Sequence, residues 1–207
     1  MIVVHHLENS RSQRVLWLLE ELGLPYELRR YARHPKTMLA PPELARVHPL
    51  GKSPLIEHEG LVLAETGAIV EYLVELAGGR LGPPPRRDDI LRYRHFIHYA
   101  EGSLMPPLLV MLVLRRLGIL GRPARPTIQR MIDRHLDWLE SELADRPWFA
   151  GEELTAADVM MSFPLEAARD RAGLGESRPN LLDWLERSHA RPAYSAALAK
   201  GGPYAFA

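Results

Sequence analysis

A chain of 207 residues, 46% of them hydrophobic, can bury a sizeable core in one large domain or two small ones. Lysine plus arginine and aspartate plus glutamate both number 26, which leaves no net field for a polyanion and argues against nucleic acid as a partner. The absence of cysteine excludes disulfides, thiolate metal sites and a thiol nucleophile of the protein's own, so any thiol chemistry arrives with a ligand.

In chain order, residues 1–6 read as a strand and about 11–22 as a helix, with Val15, Leu18, Leu19 and Leu22 on one stripe and Leu16 and Trp17 off it. Apolar surface beyond a single stripe predicts a helix covered on two sides. A strand at 26–30 and a loop with a short helix, to about 47, follow. Next comes Lys52-Ser53-Pro54-Leu55 at the mouth of a hairpin, 55–58 and 61–63. Proline cannot donate to a ladder, so Pro54 belongs at an edge or turn, and an X-Pro bond is where a cis peptide is cheap. A cis bond would turn the Ser53 N–H and C=O outward, ready to pair with an extended peptide. Glu65-Thr66 then opens a helix over 66–76, placing a hydroxyl and free N–H groups where a carboxylate is welcome. The order is βαβ followed by ββα. Glycines and three prolines between Ala77 and Pro85 punctuate a linker, giving a first domain at 1–79, a linker at 80–86 and a second domain at 87–207.

Everything after the linker reads helical. Ile90, Tyr93, Ile97, Leu104, Leu108 and Met111 form one stripe, and Ile132, Leu136, Leu139 and Leu143 another. Pro106-Pro107 should kink or break the first of these and free backbone carbonyls on one side. Thr155-Ala156-Ala157-Asp158 has the form of a capping box, with Leu154 placed as a hydrophobic staple, and Asp158 therefore serves folding. No run approaches the roughly 18 apolar residues of a membrane helix, and the charged, histidine-containing start is not of signal-peptide type. A cytoplasmic protein without membrane contact is expected.

Several chemical motifs fail on inspection. Gly51-Lys52-Ser53 would need a glycine at position 46 to be a phosphate loop, and Arg46 stands there. Neither G-x-S-x-G nor H-E-x-x-H occurs. His5 and His6 point to opposite faces of a strand, and His95 with His98 lacks a third ligand, so no metal is expected. Where a thioredoxin-like oxidoreductase carries C-x-x-C, this chain has Asn9-Ser10-Arg11-Ser12, which rules out disulfide exchange. Hydroxyls and an arginine at a helix N-terminus instead suit an anion.

Four stretches, NSRSQRVLWLLEELG from Asn9, HPLGKSPLI from His48, LAETGAI from Leu63 and LTAAD from Leu154, resemble the glutathione S-transferases in order and spacing over essentially the whole chain. The resemblance is nearest to a serine-type, SRSxR-like bacterial or fungal subgroup. It implies a thioredoxin-like α/β N-terminal domain, an all-α C-terminal domain, a homodimer, glutathione as cosubstrate and a detoxifying role. Serine classes place the catalytic hydroxyl four residues before the arginine of the first helix, which maps onto Ser10 relative to Arg14. Other classes use different residues of the same turn and keep Asn9, Arg11 and Ser12 open. By the same resemblance Thr66 takes the γ-glutamyl carboxylate and Glu65 faces its ammonium. Ser53, beside Pro54, pairs its backbone with the cysteinyl part, at a position where family members often carry an apolar residue. Lys52, or less directly His34, Lys36 or Met38, meets the glycyl carboxylate. Tyr99, Met105 and Leu109 become candidates for the wall of a second-substrate cleft. The implied activity is transfer of the glutathione sulfur to an electrophilic carbon, or reduction of a hydroperoxide by the same thiolate. A non-catalytic ligand carrier or assembly module on the same fold is the alternative.

Overall fold

A computed structural model describes residues 1–206. The chain divides into two compact units, one of residues 1–82 with 189–205 and one of residues 83–188 with 206. In the first, β1 (Ile2–Leu7), α1 (Ser12–Leu22), β2 (Tyr26–Tyr31), α2 (Glu43–Val47), β3 (Leu55–His58), β4 (Leu61–Leu63) and α3 (Thr66–Leu76) follow the predicted order, with ends within a residue or so of those read from the sequence. The sheet runs β2-β1-β3-β4. β1 and β2 are parallel, and antiparallel pairing sets His5 opposite Leu55 and Ile56 opposite Leu63. His5 and His6 do face opposite ways. His5 bonds the Tyr31 hydroxyl at 2.8 Å and Glu57 Oε1 at 2.7 Å, while His6 turns toward α1. Leu7 and Leu55 share a small apolar cluster with Leu44 of α2.

The expected second domain is corrected at its C-terminal end. α9 (Pro192–Gly201) belongs to the first unit, where it covers α1. Trp17, fully buried, meets Tyr194 edge to face at 5.4 Å, and Arg191 takes both carboxylate oxygens of Glu21 at 2.5 and 2.8 Å. α3 and α9 thus account for the apolar surface that spread beyond one stripe of α1. Periodicity announces that a helix needs a partner but not which one, and a boundary drawn on linker composition could not foresee the return of the chain.

The helical unit contains α4 (Arg87–Tyr99), α5 (Met105–Arg116), α6 (Arg125–Glu142), α7 (Ala156–Arg171) and most of α8 (Pro179–His189). Between α4 and α5, residues Ala100–Leu104 form a π-helical turn in which the Met105 N–H reaches back to the Ala100 carbonyl. Pro106 and Pro107 have no N–H to offer, and the widened turn just before them absorbs the loss, so the helix runs on instead of breaking. This continuous stretch, Arg87–Arg116, holds an 18-residue window of mean hydropathy 1.4, 44% of it buried. That window meets a membrane span by length and composition alone. Its Ile97, Ala100, Leu104, Leu108 and Met111 are packed in the interior.

α7 is buried along most of its length and starts at the predicted capping box. Asp158 Oδ2 accepts the Thr155 N–H at 2.9 Å and its hydroxyl at 3.0 Å, while Oδ1 accepts the Phe149 N–H at 2.8 Å and the Trp184 indole N–H at 3.3 Å. Complete burial pushes the carboxyl above its ordinary value, and those donors act in the opposite sense.

Candidate functional site

Three segments converge at one end of the sheet. β1 ends at Leu7 and turns through Glu8, Asn9, Ser10 and Arg11 into α1, with Asn9 in a left-handed conformation at φ 51°. β3 starts just after a cis Ser53-Pro54 bond. β4, paired with β3 as far as Ile56 with Leu63, leads into α3 through Glu65.

A single backbone group links the first two segments. The Leu7 N–H lies 3.2 Å from both Ser12 Oγ and Ser53 Oγ. Ser53 Oγ also donates to the His5 carbonyl at 2.9 Å. Its hydroxyl therefore carries on the β1–β3 pairing just beyond the last ladder pair, His5 with Leu55. That gives the departure from an apolar residue at this position a physical reason.

Behind the turn lies a buried row of polar groups. Ser10 Oγ is 2.8 Å from Ser12 Oγ, which is 2.8 Å from His6 Nδ1. His6 is 2% exposed, and burial, with the positive charge of Arg30, holds its pKa down at about 4 against partial support from Glu8, so the ring is neutral. Its other nitrogen meets the backbone of Gly201. A carbonyl there requires the proton on Nε2 and leaves Nδ1 as an acceptor. The Ser12 proton has two inward acceptors, that nitrogen at 2.8 Å and the Leu7 carbonyl at 3.2 Å. The Ser10 proton rests on Ser12 Oγ, while Ser10 Oγ accepts the Ser12 N–H at 3.2 Å. Donation into Ser10 Oγ makes its own O–H the better donor.

This geometry separates the four candidates in the turn. Ser12 is fully buried and its hydroxyl is occupied on every side by Leu7, His6 and Ser10. The Asn9 side chain accepts the Ala205 N–H at 2.7 Å. Arg11 is partly exposed. Ser10 is the hydroxyl whose proton can be redirected at little cost, because Ser12 Oγ keeps the Leu7 N–H when that proton leaves. Sequence reasoning missed Arg33, which donates to the Glu8 carbonyl at 2.9 Å and the Asn9 carbonyl at 3.2 Å and so clamps the turn. It also missed His6 and Gly201, since nothing in the spacing of these residues signals contact with a serine.

At the third segment Glu65 precedes α3 at φ 68°, a strained conformation for a residue with a side chain, and no side chain among the described residues caps the helix. The first N–H groups of α3 are therefore open to an acceptor, next to the Thr66 hydroxyl. Glu65 is exposed and Thr66 buried. Lys52 is exposed and makes no ion pair among the described residues. His34, Lys36 and Met38 are exposed in the β2–α2 loop, where His34 Nδ1 accepts the Lys36 and Thr37 N–H groups at 3.3 Å.

The other three candidates lie in the helical unit. Tyr99 is 8% exposed with its hydroxyl 2.6 Å from His135 Nδ1, and Met105 is 3% exposed, whereas Leu109 is half exposed. Tyr99 and Met105 are engaged in packing, and of the three only Leu109 presents an open side chain.

Comparison with known proteins identifies the family. The profile described as "Glutathione S-transferase, N-terminal domain" matches residues 1–75, and "Glutathione S-transferase, C-terminal domain" matches residues 122–187. Glutathione S-transferase 3 of Schizosaccharomyces pombe is 34% identical over 97% of this chain and 88% of its own length. A crystal structure of a glutathione S-transferase from Actinobacillus pleuropneumoniae superposes with a TM-score of 0.89 at 33% identity, over all of this chain and 95% of that one. A sphingomonad glutathione S-transferase complexed with glutathione shares the fold, with a TM-score of 0.80 at 21% identity over 97% and 98% of the two chains. By its fold, by both domain profiles and by a relative aligned over nearly its full length, the chain belongs to the glutathione S-transferase family.

Proposed function

We propose that the protein binds glutathione at this end of the sheet and stabilises the thiolate with the Ser10 hydroxyl, so that the sulfur attacks an electrophilic carbon or reduces a hydroperoxide. The observation that carries the reading is the buried row from His6 through Ser12 to Ser10, which commits the Ser12 proton inward and leaves that of Ser10 for an anion in front of α1. In the same reading the α3 N-terminus and Thr66 take the γ-glutamyl carboxylate and Glu65 faces the ammonium. The Ser53 backbone beside Pro54 pairs with the cysteinyl part, Lys52 meets the glycyl carboxylate, and Leu109 contributes to second-substrate binding. A homodimer of the serine-type bacterial or fungal subgroup, acting in the cytoplasm, completes it.

The required energy is modest. A free thiol of pKa about 8.5 is about 3% ionised at neutral pH, and a shift to about 6.5 makes that roughly 75% at a cost of about 2.7 kcal/mol. One charge-assisted hydrogen bond contributes about 1.5 to 3 kcal/mol and a helix N-terminus about 0.3 to 1.

The test is the ultraviolet absorbance of the thiolate, titrated in the binary complex with glutathione. Ser10→Ala should raise the bound thiol's pKa by about 1 to 2 units with little loss of glutathione affinity. Turnover should fall about ten- to a hundredfold near pH 6.5 and largely recover near pH 9. An unchanged titration in Ser10→Ala with a shifted one in Asn9→Ala, Arg11→Ala or Ser12→Ala would move the assignment within the turn. Glutathione binding without consumption of any electrophile or peroxide would replace the enzyme with a ligand carrier.

A further inference from the structure

Acidic residues stop at Glu101 and resume at Asp133, and the interval contains Arg115, Arg116, Arg122, Arg125 and Arg130. In a chain whose charges cancel, this is a strong local excess of positive charge. The same interval holds some of the most exposed aliphatic side chains of the molecule, with Leu117 50%, Ile119 76% and Leu120 83% exposed at the turn that joins α5 to α6. Such side chains are ordinarily scattered over a soluble surface, whereas here they share one turn.

The turn is preformed. Arg125 Nη2 donates to the Leu114 and Gly118 carbonyls at 3.0 Å each, and Gly118 supplies a left-handed φ of 59°. Gly121 packs so closely on Leu114 that a Cβ would collide with its carbonyl. Leu117, Ile119 and Leu120 are thus held outward by a rigid frame. In the same segment Arg115, Arg116 and Arg122 are exposed; Arg115 donates to the Asp170 carbonyl at 3.3 Å, and Arg116 and Arg122 form no ion pair among the described residues.

We propose that this tip is an interfacial docking surface for an anionic lipid bilayer, with Leu117, Ile119 and Leu120 entering the boundary between headgroups and acyl chains and Arg115, Arg116 and Arg122 meeting lipid anionic groups. Charge complementarity selects the occupant. An exposed apolar turn flanked in the chain by the exposed guanidinium groups of Arg116 and Arg122 matches a surface that offers negative charge above hydrocarbon and needs no shape of its own. Contact of this kind is peripheral and requires no segment to cross the membrane.

Flotation of the full chain with vesicles tests the proposal. Binding is expected to vesicles in which phosphatidylserine makes up about a third of the lipid, to weaken at high salt, and to be absent with phosphatidylcholine alone. Arg116→Gln and Arg122→Gln should each weaken partitioning about fivefold, and the double variant I119S/L120S about tenfold or more. All four side chains are exposed, and matched thermal melts would verify that the variants remain folded. Failure to bind anionic vesicles at low salt overturns the proposal, as does equal binding to neutral ones or binding that the substitutions leave unchanged. Light scattering gives a further refutation: a self-associated species dispersed by I119S/L120S, with no vesicle binding, would make a second copy of this chain the occupant.

Discussion

His6 shows how much one buried ring can settle. Its neutral state gives the Ser12 hydroxyl an acceptor at the head of the row that runs out to Ser10, and the same burial leaves a trace in stability. The folded pKa, about 4, lies below the value near 6.5 of an unfolded histidine, so between those values the unfolded chain takes up a proton that the native protein refuses. Stability is then full above about pH 6.5 and declines as the pH falls toward 4, by about 2.5 kcal/mol near pH 4.5 from this residue alone. Chemical denaturation at neutral pH and near pH 4.5 should show that decline, and His6→Asn, which keeps an acceptor for Ser12 but cannot titrate, should reduce it by the same amount. A variant with the same pH dependence as the parent would place the titration elsewhere. Glu65 makes the opposite point, because a positive φ at this residue belongs to the backbone path into α3 and left no mark in the local sequence.

Among the elements, α9 and α7 differ in what they do for the site. The end of α9 approaches α1 so closely that a Cβ on Gly201 would lie 2.5 Å from Gln13 Oε1 and 3.2 Å from Leu16 Cδ1. Gly201→Ala asks the end of the Gln13 side chain to shift and should destabilise the protein by about 1 kcal/mol, although alanine is the better helix former. Since the same residue faces His6, the bound thiol should also titrate differently in this variant, measured by thiolate absorbance. α7 is tied into the fold by its capping box. Asp158→Ala strands the Phe149 and Thr155 N–H groups and the Trp184 indole, and should lower stability by about 3 kcal/mol. The Asp158→Ala protein that does fold should keep the parent's glutathione affinity, as equilibrium titration would show. The capping box was legible because its two partners stand three residues apart, and a local bond can be read from local spacing. The contact between α9 and α1 was not, since it joins residues nearly two hundred positions apart.

For the molecule as a whole, ligand linkage offers the most direct check on the proposed site. Glutathione at concentrations well above its Kd should raise the melting temperature. Glu65→Gln and Thr66→Ala should each diminish that shift, through a loss of about 1.5 to 3 kcal/mol in binding if a charge-assisted bond is removed. A thermal shift unchanged in both variants would remove the α3 N-terminus from the site. The elements of the α/β unit, the capping box and the Ser-Pro corner could all be read from sequence alone, because turn residues, caps and apolar periods act over a few positions and carry their own chemistry. Which hydroxyl of the turn remains free, why Ser53 turns its side chain toward β1, and how α9 returns to cover α1 depended on the tertiary structure. Each rests on a hydrogen bond or a packing contact between residues far apart in the chain, and such pairings exist only once the backbone has brought their partners within about 3 Å.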